Sequence, residues 1–257
     1  MTMKKRLAFL LISLLTASIS LSGQQTSFVR ENYLKSEYQV EMRDGVKLHT
    51  IVHTPKDKSK QHPILMQRSP YSIGPYGDRM RRSLSSNELL EKDLYIFAFQ
   101  DVRGAYMSEG EYVNMRPVLD SYESEKDVDE TTDTWDTVEW LINNIDNNNG
   151  KVGMYGTSYP GFYAVMGSIN AHPAMVCTSP QAPISDWFLW DDMHHNGAFT
   201  LPLSFNFFQS FGQERPEPTT QRAPRLQYPS ADAYHFFLEL GPLRNINERF
   251  LKGSIDF

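Results

Sequence analysis

Gly156-Thr157-Ser158-Tyr159-Pro160-Gly161 joins a β-rich run, Lys151 to Tyr155, to Phe162, Val165, Met166 and Ile169 at helical spacing. A strand that turns directly into a helix forces the corner residue into a strained conformation, which needs small neighbours. The corner side chain is thereby lifted above the sheet at a helix N-terminus, where the backbone dipole favours negative charge. With Ser158 at the corner the chemistry is acyl transfer. Its hydroxyl is the candidate nucleophile, and the backbone N–H of Tyr159 is a candidate donor to the oxyanion. Gly161 stands three positions after Ser158 rather than two, so this is a variant of Gly-x-Ser-x-Gly, and an inert serine in a glycine-rich turn is the alternative. Pro160 has no N–H to give, which costs little in a first helical turn whose donors are unpaired anyway.

A serine nucleophile needs a general base, and on this kind of scaffold the acid and the histidine follow the serine on later loops. His49, His53 and His62 precede Ser158. His172 follows it by fourteen residues, a rise of about 21 Å if the chain between is helical, and so is not the base. His194, His195 and His235 have no strand-loop-His context. Asp191-Asp192-Met193-His194-His195 brings carboxylates and imidazoles together, but adjacent helical residues point in different directions and no His-x-x-x-His spacing occurs, so no metal is expected. Asp120, Glu123, Glu125, Asp127, Asp129, Glu130 and Asp133 read as a solvated acidic loop entering the first turn of a helix; the order of a calcium loop is absent. No cofactor is implied. Trp187, Phe188 and Trp190 read as core rather than as pocket lining.

The elements that must position Ser158 alternate. Tyr38 to Met42 and Val46 to His53 are β-rich and joined through Arg43-Asp44-Gly45, a hairpin signal. Ile64 to Met66 is a short strand that ends in the loop Arg68-Ser69-Pro70-Tyr71. Leu94 to Phe99 is an apolar run of the sort buried on both faces. Trp135, Val138, Leu141, Ile142 and Ile145 recur at helical spacing until Asn147-Asn148-Asn149-Gly150 stops the helix. Strand, helix and strand in alternation predict an α/β protein with a mostly parallel sheet, whose ligands gather at the carboxyl ends of the strands.

Composition sets the wider bounds. The chain has 257 residues, 40% hydrophobic and 22% charged, enough for a sizeable core, and 15 Gly with 15 Pro scattered along it. Met1 to Arg6 is basic, Leu7 to Leu21 is apolar, and Ser22-Gly23 offers a small-residue cleavage site, the pattern of a secretory signal peptide. A secreted or periplasmic protein with no membrane span after cleavage is expected. Three of the 25 basic residues lie in this leader, leaving 22 against 31 acidic ones, a balance that argues against a nucleic-acid partner. Cys177 is the only cysteine, which excludes an intramolecular disulfide, and it reads as a small buried hydrophobe.

Arg68-Ser69-Pro70-Tyr71, Phe99-Gln100-Asp101-Val102-Arg103-Gly104, Ser108-Glu109-Gly110, Asp133 to Trp140, Gly150 to Gly161 and Trp190 to Phe199 together resemble the α-amino-acid ester hydrolases. These belong to a wider group of cocaine-esterase-like, glutaryl-cephalosporin acylase and Xaa-Pro dipeptidyl-peptidase-like serine hydrolases. The resemblance implies an α/β-hydrolase domain, an inserted helical cap and a C-terminal jelly-roll domain. It implies Ser158 as nucleophile, the Tyr159 N–H and the Tyr71 hydroxyl as oxyanion donors, and Asp192 as a carboxylate that meets a substrate's α-ammonium. For Asp101 and Arg103, which match a family signature, the physical role expected is bracing of loops through a charged pair.

The expected organisation is a signal peptide over 1–23, the N-terminal part of an α/β-hydrolase domain over 24–185 and the start of a truncated cap over 186–257. The jelly roll and the triad's Asp and His are expected beyond Phe257, so that this chain alone is inactive and its cut cap exposes Phe205, Phe207, Phe208, Phe236 and Phe237. The expected function is a serine hydrolase or acyltransferase acting on α-amino acyl esters or β-lactam side-chain amides, with a small ester, amide or short peptide as its partner. Alternatives are an Xaa-Pro dipeptidyl peptidase, a general esterase or glutaryl-cephalosporin acylase and, from another class, a non-catalytic binding protein.

Overall fold

Gly45, at φ +88°, closes the hairpin turn by donating its N–H to the Met42 carbonyl at 2.8 Å. Tyr33–Glu41 (β1) and Lys47–Pro55 (β2) therefore pair antiparallel, as the turn residues predict. The structure is a computed structural model and describes residues 28–124, 126–184, 186, 188–189, 193–209, 211, 213, 215, 217–223, 230 and 232–252. The leader, Trp187, Trp190, Asp191 and Asp192 lie outside the described residues.

β2 pairs antiparallel with Ile96–Asp101 (β4), and from there the sheet is parallel. β4 lies beside His62–Ser69 (β3), β3 beside Asn148–Thr157 (β5), and β5 beside Met175–Gln181 (β6), giving the order β1-β2-β4-β3-β5-β6. Two boundaries differ from those read off the sequence. Leu94 sits in a turn at φ +61°, so the apolar strand starts two residues later. β5 starts three residues before Lys151, at Asn148, which pairs with His62 on β3 while its amide donates to the Ile142 and Ile145 carbonyls at the end of the preceding helix, the stop expected there.

β4 is buried at every position, and its side chains divide between two cores. Ile96 and Ala98 face Glu130–Asn144 (α2) and Tyr159–Met166 (α3), packing with Val138, Leu141, Phe162 and Ala164. Phe97 and Phe99 face the other way, onto Val29, Tyr33, Ile73 and Leu84. This period-2 division is why the run is apolar throughout. A short helix, Glu88–Lys92 (α1), precedes β4. After β6 come the two-residue strands His194–His195 (β7) and Ala198–Phe199 (β8), then Leu201–Phe208 (α4) and Ala233–Leu240 (α5). Among the described residues, no helix is long and apolar enough to cross a membrane.

Several expectations are corrected. Cys177 is exposed, because it lies on β6 at the border of the sheet, beside an equally exposed Val176. Phe188 is 61% exposed rather than core. Phe205 and Phe236 are buried with Leu240, Ile246 and Leu251 in a separate small core, to which Phe237 also packs, so these rings are not the exposed surface expected of a cut cap. Asp120 and Glu123 are exposed and Asp127 is half-buried, but Asp129, Glu130 and Asp133 are buried. Asp129 caps α2 through the Thr131 and Thr132 N–H groups, with Thr132 returning the bond to Asp129. Glu130 and Asp133 turn inward to the fully buried Arg68 of β3, at 3.0 and 3.5 Å. Arg68 also donates to Gln100, Thr134 and the Glu130 carbonyl. Arg103 does not pair with Asp101; it bridges Asp133 and Asp44 at 2.6 and 2.7 Å.

The polar half of α2 is buried on these contacts, and burial pushes the Glu130 carboxyl upward against the pull of Arg68. Removing one member of such a set leaves uncompensated charge in a dry interior. Arg68→Ala should cost about 3–5 kcal/mol, read as a clearly lowered thermal midpoint; an unchanged midpoint would show that the network does not hold α2 to the sheet.

His53 of β2 is fully buried, and among the described residues neither ring nitrogen has a hydrogen-bond partner. Burial, helped by the Arg81 and Lys35 cations, pushes its pKa down to about 3. The unfolded chain takes up this proton below about 6.5 and the folded chain only near 3, so stability is full above the unfolded value and drains away as pH falls between the two. His53→Leu should flatten the acid limb of stability by about 1.4 kcal/mol per pH unit across that window. The check is the thermal midpoint of both proteins between pH 7 and pH 4; parallel curves would contradict it.

Candidate active site

Ser158 lies between β5 and α3 at φ +61°, ψ −123°, a backbone conformation that non-glycine residues avoid. Two contacts hold it there: its N–H donates to the Gln181 carbonyl of β6 at 2.9 Å, and its carbonyl accepts from Phe162 N–H at 3.1 Å. The side chain caps nothing in the helix and is exposed. Strain of this kind costs about 1–3 kcal/mol and persists only where the surroundings over-determine it.

The flanking glycines show what those surroundings require. A Cβ on Gly156 would collide with the Pro160 carbonyl, and one on Gly161 would come within 2.6 Å of the Gln181 carbonyl. Gly161 therefore does its work as the third residue after Ser158: it lets α3 approach the end of β6 closely enough for that carbonyl to bind Ser158 N–H. The later glycine is part of how this turn packs and does not weaken the motif.

Tyr159 opens α3, so its N–H is one of the first-turn donors that no helical carbonyl can reach. Its side chain is buried and its hydroxyl fully engaged. It donates to Asn114 Oδ1 at 2.7 Å and accepts from the Tyr112 hydroxyl at 2.6 Å and from Met115 N–H at 2.9 Å. Burial pushes the phenol up to about 12. Tyr163 stacks on the other side of the Tyr159 ring, centroids 5.3 Å apart, and Arg68 lies over Tyr163. The corner thus stands on an aromatic pair that rests on the buried guanidinium.

Tyr71 follows β3, which lies next to β5, and so emerges at the same carboxyl end of the sheet as Ser158. Its ring packs edge-on to Tyr159 at 6.0 Å, and its N–H donates to Ser69 Oγ. Phe211, from the segment after α4, touches Tyr71, Tyr112 and Tyr159 at 5.7, 6.0 and 5.7 Å. The structure thus brings Ser158, Tyr159 and Tyr71 to one end of the sheet, while Asp192 lies outside the described residues. Such an arrangement can present a hydroxyl nucleophile beside a backbone donor and a phenol, the parts of an acyl-transfer site.

Several residues of the site escaped sequence reasoning. Tyr112, Asn114 and Phe211 lie in irregular loops whose reach depends on tertiary contacts. Asp101 was visible as part of a motif, but its partners were not: its carboxylate accepts from Ile73 N–H, the Tyr76 hydroxyl and Met107 N–H. Burial pushes it up to about 7 against those donors. His49, His62, His172 and His235 are engaged with Glu37, the Asp57 carbonyl, Glu139 and Asp232. Among the described residues no group of three or more His, Cys, Asp or Glu is placed to hold a metal ion.

Residues 44–238 match the family described as X-Pro dipeptidyl-peptidase (S15 family). A cocaine esterase of Rhodococcus sp. (strain MB1 Bresler) is 31% identical over 160 residues, 61% of this chain and 25% of the esterase. A solved α-amino acid ester hydrolase superposes with a TM-score of 0.71 at 37% identity, covering 84% of this chain and 35% of that one. An aminopeptidase from a marine sediment archaeon, Thaumarchaeota archaeon, has the same TM-score at 32% identity, covering 89% of this chain and 37% of its own. The chain spans between a quarter and just under two fifths of the length of these relatives. Strand order, corner serine and sequence identity converge: the fold is that of the α/β-hydrolases, and the chain belongs to the X-Pro dipeptidyl-peptidase (S15) family of serine hydrolases.

Proposed function

We propose that Ser158 is the nucleophile of an exported serine hydrolase or acyltransferase that works through an acyl-enzyme. The observation that carries this reading is the strained corner at Ser158, held between β5 and α3 with its side chain exposed and the Tyr159 N–H beside it. Ser158 Oγ attacks the substrate carbonyl and passes its proton to a general base. The base returns the proton to the departing alcohol or amine, and water or an amine then takes the acyl group. Charge on the former carbonyl oxygen is met by the Tyr159 N–H and the Tyr71 hydroxyl.

The substrate class proposed is α-amino acyl esters and β-lactam side-chain amides, supported by the likeness to an α-amino acid ester hydrolase. Asp192 is assigned to the α-ammonium of such a substrate. Removal of Xaa-Pro dipeptides is the second reading, favoured by the family match. Export is supported by the basic, apolar and small-residue leader of residues 1–23, and an N-terminus beginning near Gln24 in protein recovered from the producing cell is its check.

In the full-length gene product, a fluorophosphonate probe should label Ser158 and should not label Ser158→Ala; absence of labelling would overturn the hydrolase reading in favour of a binding protein. Tyr71→Phe keeps the ring and removes one donor. It should lower kcat by about 100- to 1000-fold with KM little changed, and near-normal kcat would exclude Tyr71 from the oxyanion site. Asp192→Asn should reduce kcat/KM for an α-amino acyl ester while sparing the same ester without its amino group. An equal fall on both esters would make Asp192 structural.

A further inference from the structure

Asp101 ends β4 in register with Ser69, the last residue of β3, and none of its surface is exposed. A carboxyl group cut off from water has to find donors within the protein. The three it finds all come from loops: Ile73 N–H at 3.1 Å on Oδ1, with the Tyr76 hydroxyl at 2.8 Å and Met107 N–H at 3.2 Å on Oδ2. Its own carbonyl accepts from Ser108 Oγ at 2.6 Å. One side chain and its backbone therefore gather two loops at the carboxyl end of the sheet.

The first of those loops carries Tyr71. On its N-terminal side Tyr71 is tied to the end of β3, where Ser69 Oγ accepts its N–H. On its C-terminal side the next two anchors, Ile73 and Tyr76, both bond to Asp101. Between Tyr71 and Ile73, Ser72 sits at φ +54° and its hydroxyl bonds to that of Tyr76 at 3.2 Å. A non-glycine residue at positive φ is held by its surroundings and relaxes when they are loosened. The Tyr71 ring itself meets Phe211 and Tyr159, the residue that follows Ser158 at the corner.

We propose that Asp101 is a positioning residue for acyl transfer, holding the Tyr71 loop so that the Tyr71 hydroxyl reaches the oxyanion. The inference rests on the reading of Tyr71 as an oxyanion donor. An oxyanion donor acts only within about 2.7–3.1 Å of the charge it meets, and a displacement of about 1 Å can cost a hundredfold in rate. Loosening of the loop should therefore appear in kcat rather than in binding.

The experiment is a double-mutant cycle in the full-length gene product. Asp101→Asn keeps the size of the side chain but turns an amide N–H₂ toward donors. It should lower kcat about 10- to 100-fold with KM within about threefold of the parent. In a Tyr71→Phe background the same change should alter kcat by less than about threefold, because the group it positions is already gone. Tyr76→Phe removes one of the three donors while keeping the ring, and serves where Asp101→Asn does not fold; its smaller loss of kcat should vanish in the Tyr71→Phe background too. Equal losses in both backgrounds would overturn the positioning role and leave Asp101 as structural bracing. A Tyr71→Phe enzyme with normal kcat would instead remove the reading of Tyr71 on which the inference stands, whatever Asp101 does.

Discussion

Arg68 is the largest completely buried side chain among the described residues, and the arrangement of the site follows from where its charge goes. A guanidinium in a dry interior is costly unless it is paired and hydrogen-bonded. Here Glu130 and Asp133 supply charge, Gln100, Thr134 and the Glu130 carbonyl accept its N–H groups, and Tyr163 lies under its plane. Those partners come from β4, α2 and α3, so satisfying one cation locks three elements against β3. Arg103 extends the set by joining Asp133 to Asp44 in the first hairpin turn. Such a network is weak evidence for net stability, since its desolvation offsets much of its attraction. Its effect is directional: it sets Glu130 and Asp133 of α2 against Arg68 of β3 and Arg103.

The proposed nucleophile stands on top of that network. Tyr163 touches Arg68 below and Tyr159 above, and Tyr159 begins the helix that Ser158 leads into. The strained corner is thus fixed from three directions: by the β6 carbonyl at its N–H, by the Pro160 carbonyl packed over Gly156, and by the hydrogen-bonded Tyr159 ring beneath. Parallel pairing of β3 and β5 brings the Tyr71 loop to the same edge. The residues between β6 and α5 add Phe211 over both tyrosines, so the segment after the sheet contributes directly to the walls of the site.

Much of this was legible in the chain because it depends on neighbours in sequence. The hairpin at Asp44-Gly45, the doubly buried strand containing Phe97 and Phe99, the helix containing Val138 and Leu141, and the turn at Ser158 all announce themselves through residue type and period, which local sterics translate directly into backbone. Boundaries were less secure. Asn148 reads as a helix stop and its amide does meet the Ile142 and Ile145 carbonyls, but strand pairing with His62 recruits it as well, and Leu94 reads as strand, yet a turn takes it.

What the sequence determined by itself was therefore the order of elements and the identity of the corner serine, together with the tyrosines that a family likeness attaches to it. What only the tertiary structure decided was which polar groups are buried and whom they meet. Asp129, Glu130 and Asp133 look like a solvated acidic run until Arg68, more than sixty residues earlier, is placed beside the helix. Asp101 and Arg103 look like partners because they are two residues apart, but the strand ends at Asp101 and Arg103 lies in the turn after it, so Asp101 meets the loop at Ile73 and Tyr76 while Arg103 reaches Asp133 and Asp44. Charge pairing and hydrogen bonding act over a few ångströms of space, and distance along the chain carries no information about them once the sheet has brought remote segments together.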